Sequence, residues 1–347
     1  MSVQTDKRSP EVVTCEPLLL FFVYIETYPY ICSMIQKGQK GAEVEQLQCS
    51  LTHYSLGANP VPVTGTFDDA THNALMAFQI GNGLVVDGIY GAKSKAKLDA
   101  LTSNKFVISV HGGHGGLRAD GSYATKPDTG KRYQHPTSEL HTKDGWFYEG
   151  NENRVAANEV ANQLRQMGVF VLVTHDEIEC DYGKLSTHVK QTAPYIKLGY
   201  KGYTHAFHSN AAPSKIKGKD GAFIRNRTKA EMDAIRGGYV FTTKGNTFSD
   251  EVSALHLHHL YTKFESWVKL QTRGIIPTTA SDNEENFQVL SDVEKSAAAC
   301  KNYEFGAILE EFGFMTSEID CHFILDNWAG RVECAVKTAL AVIQRHK

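Results

Sequence analysis

Lys105-Phe-Val-Ile-Ser-Val-His-Gly-Gly-His-Gly-Gly116 decides how this chain folds. Phe106 to Val110 is a short apolar run that reads as a buried strand. It runs straight into a loop of glycines and histidines, where the backbone can turn tightly and leave an imidazole exposed at the strand's end. Downstream the texture keeps alternating. Val155–Met167 reads as a helix, Val169–Thr174 as a strand, and Tyr203–Phe207 and Gly238–Thr243 as two more strands. Ser249–Leu270 is a long helix, Ala307–Leu309 begins a short apolar strand, and Arg331–Arg345 closes the pattern as a helix. Alternation of this kind predicts an α/β domain over residues 105–347, and several strands end directly at polar residues, where the sites of open α/β sheets gather.

Upstream, residues 36–102 form a different block. Val44, Leu47 and Leu51 follow helical spacing until a Gly/Pro-rich stretch at Gly57–Pro62 breaks it. Asp68 can cap a second helix carrying Ala74, Leu75 and Phe78, and a third helix ends near Leu101. Three short helices around a small apolar core are expected. The order Gly65-Thr-Phe-Asp68, Thr71, Ala74, Phe78-Gln79, Gly83-Leu84, Asp87-Gly88 and Tyr90-Gly91 resembles the peptidoglycan-binding domains that flank many cell-wall enzymes. Phe78 and Leu84 are expected in the core and the glycines in turns, so binding is assigned to the module and to no named contact residue.

The length of 347 residues suits two domains, and 41% apolar with 22% charged residues is ordinary for a chain with a real core. A net charge of −3 excludes a strongly basic nucleic-acid footprint. The seven cysteines are scattered and contain no Cys-x-x-Cys pair, which argues for buried thiols in a reducing compartment. Leu18–Ile25 (LLLFFVYI) is far short of the roughly 20 residues of a spanning helix, and Asp6, Glu11 and Glu16 stand where a signal peptide carries positive charge. No stable membrane insertion is expected. Residues 1–33 read as an extension upstream of a start at Met34, followed by a module over 34–102 and a catalytic domain over 105–347.

Four segments carry the chemistry. They are His111-Gly-Gly-His114-Gly-Gly, then Glu149-Gly-Asn-Glu152-Asn153 opening a helix, His208-Ser-Asn210 at a strand end, and Glu310-Glu311-Phe-Gly-Phe314. Two histidines, one carboxylate and an open fourth position form a catalytic zinc set, with a further glutamate as general base. Burying an acid beside Phe312 and Phe314 is costly unless it is paired or used. Alternatives stay open at this point. Glu152 competes with Glu149, although a glutamate in a first helical turn also suits the helix dipole. Alternation sends Glu310 and Glu311 to opposite faces, so one of them serves. His111 reads as an ordinary loop histidine or a proton carrier beside the site, His205 as facing away from His208, and His256, His258 and His259 as surface or packing residues of a helix.

The order Gly113-His114-Gly-Gly, Glu149 with Asn153, His208-Ser-Asn210-Ala and Glu311-Phe-Gly-Phe resembles the zinc N-acetylmuramoyl-L-alanine amidases of the amidase-3 type, over nearly all of 105–347. The resemblance implies a twisted mixed sheet flanked by helices, zinc held by His114, Glu149 and His208, and Glu311 as base. Its implied substrate is peptidoglycan, cut between N-acetylmuramic acid and L-alanine. Two departures stand out: His111 where an acid is usual, and a long insert over 117–144. Together with the wall-binding module, the pattern resembles phage endolysins, made in the host cytoplasm and acting on the periplasmic wall once the membrane opens. A bacterial autolysin, a zinc peptidase acting on the stem peptide and an inactive wall binder are the rival expectations.

Overall fold

The structure, a computed structural model, describes residues 34–125, 131–135, 145–175, 178, 186–243, 245–268, 275–278 and 288–346. Residues 1–33, with the LLLFFVYI run, and most of 126–144 lie outside them. Among the described residues, no helix is long and apolar enough to cross a membrane.

The first block is three helices, α1 (Ala42–Tyr54), α2 (Asp69–Gly81) and α3 (Ala92–Leu101). The apolar spacing works as expected: Val44, Leu47, Leu51, Leu75, Phe78 and Leu98 are all buried together. Asp68 caps α2 by accepting from the Thr71 backbone N–H at 2.9 Å. Two buried glutamines pin the turns between helices. The Gln48 side chain accepts from Thr64 and Gly65 N–H groups and donates to the Thr66 carbonyl. The Gln79 side chain accepts from Gly88 N–H and donates to Asp87 and the Ile89 carbonyl. The Gly65-Thr-Phe-Asp and Asp87-Gly88 turns are therefore held by satisfied buried amides, a strong source of rigidity.

The rest is an α/β domain built as β1 (Phe106–Gly112), β2 (Arg132–Gln134), β3 (Trp146–Tyr148), α4 (Glu149–Gln166), β4 (Val171–Val173), α5 (Ser186–Lys197) and β5 (Lys201–Asn210). It continues through β6 (Lys215–Lys217), β7 (Phe223–Asn226), α6 (Lys229–Asp233), β8 (Gly238–Thr243), α7 (Thr247–Lys263), α8 (Glu265–Val268) and β9 (Ile275–Thr278). The last elements are α9 (Gln288–Ala299), β10 (Phe305–Phe314), α10 (Glu318–Asp326) and α11 (Trp328–His346). Six strands form one mixed sheet in the order β4-β1-β5-β10-β8-β9. The first four are mutually parallel, and β8 runs antiparallel to β10. Helices α4, α7 and α11 cover one face, whose core includes Tyr203, Phe207, Ile308 and Phe312; α5 and α9 cover the other, with Ala206 and Leu309.

Several elements differ from the sequence expectation. β10 is ten residues long rather than a short strand, and β1 continues through His111, which is a buried strand residue and not a loop histidine. The long helix stops at Lys263, and α4 begins at Glu149 itself.

The helical module docks on the open edge of the sheet. Val171 of the edge strand donates its N–H to the Leu56 carbonyl, and Arg165 donates to the carbonyls of Leu56, Gly57 and Val171. His53 stacks on Phe170 at 4.6 Å, and Cys49 enters the second core cluster. An unpaired strand edge is a liability, and the module covers part of it.

Candidate metal centre

The C-terminal ends of β1 and β5 and the N-terminus of α4 meet at one point. His114 leaves β1 through the glycine loop with φ of 66°, a left-handed conformation uncommon for a residue with a side chain and often kept at functional sites. Gly113 before it lies against the His208 ring, where a Cβ would sit 2.1 Å from the nearest ring atom, so only glycine fits. Glu149, fully buried, is the first residue of α4.

His208 Nδ1 stands 3.1 Å and His114 Nε2 3.3 Å from Glu149 Oε1, and one donor atom from each of the three residues lies within 4.8 Å of the others. Four ligands at about 2.0–2.1 Å around a tetrahedral ion place neighbouring donors about 3.3 Å apart, so this spacing fits a metal of the zinc class. Glu149 Oε1 also accepts from the Ser209 N–H, whereas Oε2 is buried with no hydrogen-bond partner and with Lys131 Nζ 3.6 Å away. A buried carboxylate oxygen left in this state is what a cation would satisfy.

The electrostatics favour ligation. Burial alone would raise the Glu149 carboxyl, but His114, Lys131 and His208 together hold it well below the usual carboxylate range. Burial lowers His208 to about 4, which keeps the imidazole neutral with a lone pair to give. Glu311 behaves in the opposite way. Its carboxyl is pushed up to about 8, first by burial and then by the negative charge of Glu149, against the pull of Lys131 and His114. Glu311 is the register partner of His208 across β5 and β10, which puts the two side chains beside each other on one face. Its Oε2 is buried without a hydrogen-bond partner. Immediately beyond, the β5/β10 register slips, with Gly313 at φ of 85°. Such a bulge re-aims a strand end next to a site.

His114, Glu149 and His208 therefore come together, with Glu311 in electrostatic contact. Glu152 is not in the donor cluster. Glu310 points to the opposite face, where His205 Nε2 and Arg331 Nε approach its Oε2 at 3.4 and 3.3 Å. His258 is exposed and His256 is fully buried, within the expectation of surface or packing residues, and His256 lies close to His205 and Glu310. Two neighbours went unread in the sequence. Lys131 lies in the insert, and Arg331 donates to the His208 carbonyl at 2.9 Å and to Asn153 at 3.3 Å.

Residues 40–98 match the family model described as "Putative peptidoglycan binding domain". The three-helix module is of that kind. Two spore cortex-lytic enzymes are similar in sequence. The one from Oceanobacillus iheyensis is 27% identical over 169 residues, which are 44% of this chain and 60% of the relative. The one from Bacillus cereus is 32% identical over 138 residues, 38% of this chain and 48% of the relative. The chain thus spans about half the length of the curated relatives it matches. Among solved structures, the CwlD amidase of Clostridioides difficile, in complex with the GerS lipoprotein, aligns over 70% of this chain and all of its own at 15% identity and a TM-score of 0.43. The N-acetylmuramoyl-L-alanine amidase AmiC2 of Nostoc punctiforme aligns over 70% of this chain and 98% of its own, at 18% identity and a TM-score of 0.42.

Proposed function

We propose that this protein is a zinc-dependent N-acetylmuramoyl-L-alanine amidase that hydrolyses the amide between the lactyl group of N-acetylmuramic acid and L-alanine in peptidoglycan. The observation that carries the reading is the convergence of His114, Glu149 and His208 with the raised carboxyl of Glu311 beside them. The peptidoglycan-binding module and the sequence relatives named as cortex-lytic enzymes support a wall substrate.

His114, Glu149 and His208 would hold the ion, and zinc bound there supplies Lewis acidity and a water acidified toward neutral pH. Glu311 would act in its ionised form, which a cation offsetting the charge of Glu149 favours, and take one proton from the water as the water oxygen adds to the lactyl carbonyl carbon. The carbon–nitrogen bond then breaks, and Glu311 returns that proton to the departing L-alanine amine. Lys131 balances the buried charge of Glu149, and Arg331 fixes the His208 backbone. The helical module holds the enzyme on an insoluble repeating substrate and raises its local concentration there.

Mass spectrometry of a purified peptidoglycan digest tests the bond. Free stem peptides beginning with L-alanine are expected; shortened peptides still attached to sugar would instead identify a peptidase. For the biological setting we propose a phage endolysin, made in the host cytoplasm and reaching the periplasmic wall after membrane opening. Expression in a Gram-negative host is expected to lyse cells only with a co-expressed holin, and lysis without one would favour an exported autolysin.

A further inference from the structure

On the helix-covered face of the sheet, away from Glu311, lies a second cluster: His205 on β5, His256 on α7 and Glu310 on β10. We propose that these three residues form a second, buried site for a divalent transition metal of the zinc class.

All three side chains are at most 1% exposed. His205 Nε2, His256 Nε2 and Glu310 Oε1 are each buried without a hydrogen-bond partner. They nevertheless point at one another, with His205 Nε2 3.4 Å from Glu310 Oε2 and His256 Nε2 3.6 Å from Oε1. Charge-assisted N–H···O bonds close to about 2.7–2.9 Å, and both gaps are longer than that. They match the roughly 3.3 Å edge of a tetrahedral coordination sphere, as the first centre does.

The protonation of His256 points the same way. The Thr338 hydroxyl donates its single proton to the Cys334 carbonyl at 2.8 Å. With that proton so placed, its oxygen accepts from the two imidazoles beside it, His256 Nδ1 at 3.1 Å and His259 Nδ1 at 3.0 Å, and a neutral His256 then carries its proton on Nδ1 and a lone pair on Nε2. That lone pair faces a carboxylate oxygen in a dry pocket. The two repel unless a proton or a metal ion lies between them, and the metal count below separates the two. A ligating histidine whose other ring nitrogen is anchored by a hydrogen bond is the usual arrangement at metal sites.

Arg331 is the competing cation. Its Nε is 3.3 Å from Glu310 Oε2, but its other two nitrogens are committed to Asn153 and the His208 carbonyl, and it stacks between Phe207 and Phe312. Oε1 and both imidazole nitrogens remain for an ion. The enclosure leaves no approach for substrate, so the role is structural: the ion would tie α7 to β5 and β10, the strands that carry His208 and Glu311.

Metal content of the full chain, loaded with zinc and dialysed against metal-free buffer, decides the matter. Two equivalents are expected in the wild type, with one left in His256→Leu and one left in His114→Ala. A single wild-type equivalent lost in His114→Ala overturns the proposal, as does a His256→Leu variant that keeps two. A single equivalent kept in His114→Ala and lost in His256→Leu upholds this site while removing the first centre. If His256→Leu fails to fold, His205→Asn is read in the same way: loss of one equivalent upholds the site and an unchanged count overturns it.

Discussion

Glu149 and Glu311 are two buried carboxyls in one pocket with opposite electrostatic fates, and that contrast assigns their roles. Glu149 is held ionised by the cations and histidines around it, whereas Glu311 is pushed toward its neutral form by burial and by Glu149 itself. Glu311→Gln keeps the shape and removes the base. Turnover is expected to fall by about 10²–10⁴-fold with the metal still bound, read by activity and metal content on the same sample. His114→Ala or His208→Ala should lose the metal instead. Gly113→Ala tests the packing between the ligands: a Cβ 2.1 Å from the His208 ring must displace it, and zinc affinity should drop by about 10–100-fold in a competition titration. The four segments were legible because each places a polar residue in an apolar or glycine-rich stretch at a strand or helix end, whereas the choice of Glu149 over Glu152 and of Glu311 over Glu310 came from the family resemblance. Lys131 and Arg331 were not. A lysine in an insert and an arginine in an amphipathic helix look like solvated surface until the fold brings one beside Glu149 and buries the other. Three histidines within four residues of a helix likewise give no hint which of them faces the sheet.

At the level of elements, strand existence was readable from short apolar runs, but strand length was not. β10 extends over ten residues because both of its faces are covered, with Glu310 paired to Arg331 and Glu311 buried beside the charge of Glu149. The hairpin of β6 and β7 is largely exposed and shows no apolar alternation to betray it. The junction between the helical module and β4 was invisible too, since its polar part is backbone carbonyls and one arginine fork and its remainder is His53 on Phe170. Removing that fork in Arg165→Ala deletes three side-chain hydrogen bonds, each worth about 0.5–1.5 kcal/mol net. Urea unfolding should show a loss of about 1.5–4.5 kcal/mol; an unchanged midpoint would mean that these three bonds contribute nothing net to stability.

For the whole molecule, docking of the helical module makes stability depend on pH through His53. Burial lowers this histidine from 6.5 to about 4, so the folded protein holds it neutral against Phe170 and Tyr200. Its contribution is fully present above pH 6.5 and is lost as the pH falls through about 4, a change of about 3 kcal/mol. Thermal melts between pH 7 and 4 should therefore be less steep in pH for His53→Gln than for the wild type. Equal slopes would remove His53 from the acid limb.

A metal held by His114, Glu149 and His208 is what the proposed hydrolysis depends on. The deciding measurement is peptide release from purified peptidoglycan by the full chain, before chelation, after chelation and after zinc is restored. Release of peptides beginning with L-alanine that stops on chelation and returns with zinc is the predicted result. Release that continues unchanged through complete metal removal would contradict it.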